Sequence, residues 1–432
     1  MKRGPAIALG LLALGGTLAA LRWRGDDAVR PPERAAEAPP PPVEERAGVV
    51  WSTANIRDLA PTRPRNNTAV SVPIPPLPAY DAALLTLGRV VEKWAGNPDN
   101  AWAIAHGLLA RGPEFRLTNQ LAAVSTLFSV YAEPRQVGTF TLVGFPKDRN
   151  GIPVEPHTDL ILKNMAEIGV EPETPFPMGE SQVTGADVYR YTLLKTFLRV
   201  KENKSNFADP NDMAWGVQAL ATWAPTQDLR WTALDGTAMD LNTLTDFLVL
   251  VLTKESKFLF DRMRAGEPFE RSGQSLFSYT CGGAHLLQGA SYAVARGFGK
   301  PENRAYVAAQ GPLMLYRLPG ELRLYDEAMK RARDQRERLL VQRLKFLGHW
   351  LESMSKLRIL GLFTPDDMQL KTIEGAAHNL ALTVEQLDKL GTFDRLEQLQ
   401  KEDPQLYLDV IGDSSHAVRG LELALGRQKL WW

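Results

Sequence analysis

Ala-Trp-Ala-Ile-Ala-His-Gly-Leu-Leu-Ala at 101–110 sets a pattern that returns along the chain. Small residues come just before an aromatic nitrogen ring, and leucine-like residues follow at helical spacing. The same order is legible in Asp-Met-Ala-Trp-Gly-Val-Gln-Ala-Leu (212–220), Cys-Gly-Gly-Ala-His-Leu-Leu-Gln-Gly-Ala (281–290) and Gly-His-Trp-Leu-Glu (348–352). It recurs in Gly-Ala-Ala-His-Asn-Leu-Ala-Leu (375–382) and Ser-Ser-His-Ala-Val-Arg-Gly-Leu (414–421). Small side chains allow two helix backbones to approach closely, and the ring then projects from the packed face. The spacings vary too widely for a regular solenoid.

Between these segments the periodicity stays helical. Ala82, Leu85, Leu87, Val90, Val91 and Trp94 recur at three-to-four spacing, and Gly96 with Pro98 stops that helix. Helices are expected over 158–168 and 184–200, each opened by a threonine, and over 240–260. There the apolar run 247–252 suggests burial on all sides. One long charged helix is expected over 321–357, with Lys330, Arg331, Arg333 and Arg336 on one face. Thr364 and Pro365 open a further helix that Gly391 ends. Only 139–145 and 152–155, flanking Asp148 to Gly151, read as a β-hairpin. The expected fold is all-α with a small β-hairpin insertion.

This layout resembles the α/α-toroid group, which includes six-hairpin glycan enzymes and terpene cyclases. The likeness covers roughly residues 80–430 and is one of architecture. It implies a barrel of helical hairpins whose inner helices carry the rings. The block Cys281-Gly282-Gly283-Ala284-His285 resembles a Cys-Gly-Gly-x-His segment of bacterial exported helical proteins, and that likeness implies no activity.

Outside the helical part the composition changes. Lys2 and Arg3 precede an apolar run at 5–21, the form of an export signal at the low edge of a bilayer span. Thr17-Leu18-Ala19 offers a cleavage site, whereas Arg22 and Arg24 resist translocation, so signal peptide and retained anchor both stand for 1–25. Prolines crowd 26–79 and predict a disordered tether, with Trp51 and Ile56 able to pack locally. The main domain is 80–432. The expected location is the cell envelope, periplasmic or extracytoplasmic, with the membrane met through the N-terminal segment. Lys plus Arg balance Asp plus Glu at 50 each, so no net field draws in nucleic acid.

Cys281 is the sole cysteine, which excludes an intramolecular disulfide. A helix starting near Tyr279 would place Cys281 and His285 one turn apart, with the thiol acidified by the helix N-terminus. That pair suits a thiol mechanism or half of a zinc site; it equally suits a buried core. Further zinc candidates are His106, His349, His378 and His416, all on expected inner helices. No compact metal spacing is present, and cofactor and metal stay unassigned. Glu374 and His378 form an i,i+4 pair fit for acid–base work, or for an ordinary exposed helix face. Glycan chemistry asks for two carboxylates across a cleft, with Asp99, Asp209, Asp212, Glu374 and Asp413 as candidates, and Trp102 and Trp215 as stacking faces. Asp99 and Asp209 also read as N-caps. His157 lies on a loop that would reach over the barrel mouth. Neither a Gly-x-Ser-x-Gly elbow nor a phosphate loop occurs.

The leading expectation is an envelope protein with a central ligand-binding cavity acting on a cell-envelope glycan or peptide. The alternatives are a non-catalytic periplasmic scaffold, meeting partners through the basic stretch 330–338, and a thiol or zinc-dependent enzyme built on Cys281 and His285. The residues alone do not decide whether it is an enzyme.

Overall fold

The computed structural model describes residues 49–432 apart from Asn203, 272–280 and Gly282. The expected leader at 1–25 and the first part of the tether, 26–48, lie outside the described residues, as does Tyr279. Helix dominates. In chain order the helices are α1 (Pro78–Val90), α2 (Ala101–Arg111), α3 (Ala123–Thr126), α4 (Leu160–Ile168), α5 (Gly185–Lys195), α6 (Pro210–Thr222) and α7 (Leu241–Arg264). There follow α8 (Ala284–Ala295), α9 (Asn303–Ala308), α10 (Gln310–Arg331), α11 (Arg336–Ile359), α12 (Asp367–Lys389), α13 (Leu396–Glu402) and α14 (Pro404–Ala424). No described helix is long and apolar enough to cross a membrane.

Local chemistry explains the boundaries. Thr184 and Asp187 close a capping box at the start of α5. Asp209 caps α6, with Pro210 at the first helical position, where a missing N–H costs nothing. Asp366 and Gln369 box the start of α12, two residues after the expected Thr364. Asn100, rather than Asp99, caps α2 through the backbone N–H of Ala103.

The contacts between helices follow an order. α2 lies against α4, α4 against α6, α6 against α8, α8 against α11, α11 against α14, and α14 against α2. α1 packs on α12 and α14, α7 on α6 and α8, and α10 and α12 on α11. At the α11–α14 crossing a Cβ added to Gly348 would stand 2.8 Å from the backbone nitrogen of Ala417, and one on Gly420 would stand 2.6 Å from the Gly348 carbonyl oxygen. Gly289 on α8 meets Ala214 on α6 in the same way, at 2.4 Å from its carbonyl oxygen. The small residues of the sequence pattern are therefore backbone contact points.

Several expectations change, and the helix expected over 184–200 ends at Lys195, with Leu198–Arg199 forming a strand against Lys204–Ser205. The helix expected over 321–357 breaks at Ala332 into α10 and α11, so its basic stretch forms the turn of a helical hairpin. The run 247–252 is not enclosed, because Leu250 is 49% exposed. Phe140–Gly144 pairs with Glu133–Val137, while Asp148–Arg149 pairs with Ile152–Pro153, so two hairpins replace the single one expected. A further ribbon joins Pro175–Met178 to Ser181–Thr184. Gly138 and Gly179, both at φ near +60°, make the tight turns, a conformation that glycine adopts without strain.

The tether expected over 26–79 gives way to structure by Val49. Val50–Trp51 runs parallel to Arg230–Thr232, and Asn67–Thr68 pairs with Leu430–Trp431. Ile56, Leu59 and Ile74 are buried, each such side chain contributing roughly 1.5–3 kcal/mol relative to exposure. The Arg190 guanidinium grips the Leu59 carbonyl at 3.0 and 2.8 Å. Prolines keep this strap extended, and two of its N–H groups bond to the helical body: Thr62 to Trp223 and Ile74 to Ala424, each at 3.0 Å.

Candidate functional site

Five of the six histidines meet. His106 stands on α2, His285 in the first turn of α8, His349 midway along α11, His416 on α14, and His157 on the loop before α4. Ring centroids of His349 and His416 are 3.9 Å apart, those of His285 and His349 5.1 Å, and those of His106 and His416 5.4 Å. His157 approaches His285 at 6.3 Å. His106, His349 and His416 are buried, His285 is half-buried and His157 exposed, so the cluster reaches the surface on the His157 side. Gly412 makes room for Trp102 and His106, since a Cβ there would stand 2.6 Å from the indole.

Partners fix the proton positions of two rings. His416 Nδ1 lies 2.7 Å from Glu352 Oε2. Burial alone would raise the Glu352 carboxyl, but Lys356 and His416 outweigh it and hold it well below its ordinary value. An ionised carboxylate only accepts, so Nδ1 of His416 carries the proton and Nε2 keeps its lone pair. His106 Nδ1 donates to the Trp102 carbonyl at 2.7 Å, which likewise frees Nε2. Burial, reinforced by neighbouring rings, pushes His106, His285 and His349 well below the usual imidazole value. Burial also lowers His416, although Glu352 pulls the other way. Lowering of this kind favours the neutral form of all four rings.

Next to them lies a buried ionic cluster. Lys356 Nζ contacts Glu352 at 2.6 Å, Glu167 at 2.8 Å and the Gln288 carbonyl oxygen at 2.8 Å. Glu167 also meets Lys163 at 3.2 Å and Arg419 at 3.2 Å. Burial raises Glu167, yet its three cations bring it down to about 2.

The other candidates fall as follows. Cys281 precedes α8, which begins at Ala284, so it is not one turn below His285 on a common helix. Burial pushes the Cys281 thiol up, although the backbone N–H groups of Gly283 and Ala284 favour the anion, so the acidified thiol expected there is corrected. Cys281 and His349 border one cavity of about 20 Å³, also lined by Arg317, Gln310 and Ser353, with room for a single water. Glu374 and His378 lie on α12, half-buried and exposed respectively, apart from the five rings. Of the carboxylates, Asp209 caps α6. Asp212 accepts the backbone N–H and hydroxyl of Thr158, both at 2.7 Å, which ties the His157 loop to α6. Asp413 is buried 3.8 Å from Lys345, and burial drives its carboxyl well up. The tryptophan faces are taken: Trp215 packs on His157 at 4.9 Å and His285 at 4.6 Å, and Trp102 on His106 at 4.1 Å.

Among the described residues, one ring nitrogen from each of His285, His349 and His416 lies within 4.8 Å of the other two. These are the residues able to hold a metal. Lys163, Glu167, Lys356, Arg419 and Asn211 were not singled out from the sequence. Lys163–Glu167 and Glu352–Lys356 are i,i+4 pairs, which ordinarily mark a solvated face. The signal available was Glu352 at i+3 from His349, inside the small-residue pattern.

No family model matches the chain, and neither the curated proteins nor the solved structures contain a match to it.

Proposed function

We propose that residues 49–432 form an α/α toroid, with α2, α4, α6, α8, α11 and α14 as inner staves and the histidine cluster on its axis as functional centre. In this reading the segment at 1–25 carries the domain to the cell envelope. There the cluster binds and processes one small group, presented by an envelope glycan or peptide. The carrying observation is the meeting of imidazoles from four helices and a loop where hydrocarbon would cost less. Burying polar rings is unfavourable, and perturbed titratable groups gathered in one place are a recurrent mark of functional sites. The small cavity beside Cys281 limits what enters there to water or a group of similar size. Against the scaffold reading, part of its basic stretch is already neutralised: Arg338 pairs with Asp403, and Arg331 with Glu327 at 3.2 Å.

The test is His349→Leu, an apolar ring replacement of similar size. A functional ring is dispensable for folding, so the melting temperature should hold or rise. With both proteins stripped of metal by chelator, so that loss of a bound ion does not enter, a fall of roughly 4 °C or more would make the ring a structural part and overturn the reading. A reporter that folds only outside the cytoplasm, fused to the C-terminus, should be active if the leader exports the chain.

A further inference from the structure

We infer that His285, His349 and His416 together hold one divalent transition-metal ion of the zinc class, with water in the fourth position. The inference rests on the histidine cluster being the functional centre.

Nε2 of His285 stands 3.3 Å from Nε2 of His349. In a tetrahedral site with metal–nitrogen bonds of ~2.0–2.1 Å, neighbouring ligand nitrogens are ~3.3–3.4 Å apart. This edge is already at that spacing. The third nitrogen, within 4.8 Å of both, has at most about 1.5 Å to close, within reach of a ring rotation inside its rotamer well.

Two ring nitrogens facing each other need something between them. Without an ion, one must donate a proton to the other. In either direction His349, 2% exposed, keeps Nδ1 buried with no partner among the described residues. With an ion between them both Nε2 atoms point lone pairs at a cation, and Nδ1–H of His349 is left for a water in the adjoining cavity.

The supports for coordination are in place. Glu352 holds Nδ1 of His416, which leaves Nε2 as its free ligand atom, and Lys356 holds Glu352, the carboxylate–histidine arrangement that orients metal ligands. Asn211 sits 3.2 Å from Nδ1 of His285 with its amide nitrogen. Turning that amide over puts its oxygen there to accept Nδ1–H, at the cost of a 3.3 Å bond from Leu286 N–H. His285, half-buried at the His157 side, leaves the fourth position facing the way in. All-imidazole ligation suits zinc, nickel or copper better than magnesium or calcium, which require oxygen.

The test uses the full-length chain, purified without chelator or metal-affinity tag. Elemental analysis should give about one equivalent of zinc-class metal. Cobalt(II) added after chelator stripping should develop the strong visible bands of a tetrahedral site. H285A and H349A should each lose nearly all of both signals, while H378A keeps them; if H349A fails to fold, H285A carries the test. Folded protein that takes up no metal and gives no cobalt bands overturns the inference, as does full metal content in the H285A/H416A double variant. Metal-free protein whose H349L variant keeps its melting temperature loses the ion alone. Metal-free protein whose H349L variant melts early loses the functional centre as well.

Discussion

α11 and α12 lie side by side, and in sequence they look alike. Each carries a glycine followed within one turn by a histidine (Gly348-His349 and Gly375 to His378), and each has a glutamate, Glu352 or Glu374, within about one turn of that histidine. On α11 the glycine is pressed against α14, the histidine is buried, and Glu352 is ionised within a sealed cluster. On α12 a Cβ on Gly375 would meet nothing within 4 Å, and His378 is exposed. One motif thus has two fates. The difference lies in which neighbours surround each helix, α11 having α8, α10, α12 and α14 packed on it. A charged i,i+4 pair is no guide to exposure when a helix is wrapped.

The largest test of this contrast is Lys356→Met. It takes from Glu352 the one lysine in contact with it and from Glu167 one of three cations, in a buried core, and a broken buried ionic cluster costs about 3–5 kcal/mol. Urea unfolding would measure it, and a loss below about 1 kcal/mol would mean that water reaches the cluster.

Next comes a buried carboxyl elsewhere in the fold. Glu155, beside Asp159 and the start of α4, is pushed up to about 8 by burial, with Lys195 opposing. A raised folded-state value means that the folded chain holds a proton the unfolded chain releases. Stability is therefore greatest below about pH 4.5 from this group and falls as pH rises toward about 8, by at most ~1.4 kcal/mol per pH unit. Glu155→Gln should flatten that decline in a series of melts from pH 5 to 8; an unchanged slope would place the proton elsewhere.

The two glycines should then respond with opposite sign. Gly348→Ala pushes a methyl into the α14 backbone and should cost about 1–3 kcal/mol. Gly375→Ala enters open space in a helix interior and should stabilise by about 0.5–1 kcal/mol. Equal effects would erase the distinction between the helices. Smallest of all, Glu374→Gln and His378→Ala should each shift stability by less than about 0.5 kcal/mol, read from the same urea curves.

Much of the fold could be read from the chain. The 3.6-residue periodicity, the capping residues at Thr184 and Asp209, and the small-residue segments that let backbones touch are all local signals. Each reflects a local hydrogen bond or a local steric limit, and so it survives any tertiary arrangement. The missed hairpins were local too: Gly138 and Gly179 mark their turns, but strands of four or five residues scarcely alternate. The break at Ala332 between α10 and α11 carried no proline or glycine to announce it.

Of the site, the sequence by itself determined that His106, His285, His349 and His416 sit on helices beside small residues. Tertiary structure alone decided that their rings meet, that His378 is left outside, and that Lys163, Glu167, Lys356 and Arg419 are sealed in beside them. The reason is physical. Burial and the sign of a pKa shift depend on atoms contributed by helices more than a hundred residues away in the chain, as in the contact between Arg419 and Glu167, and no spacing along one helix encodes them.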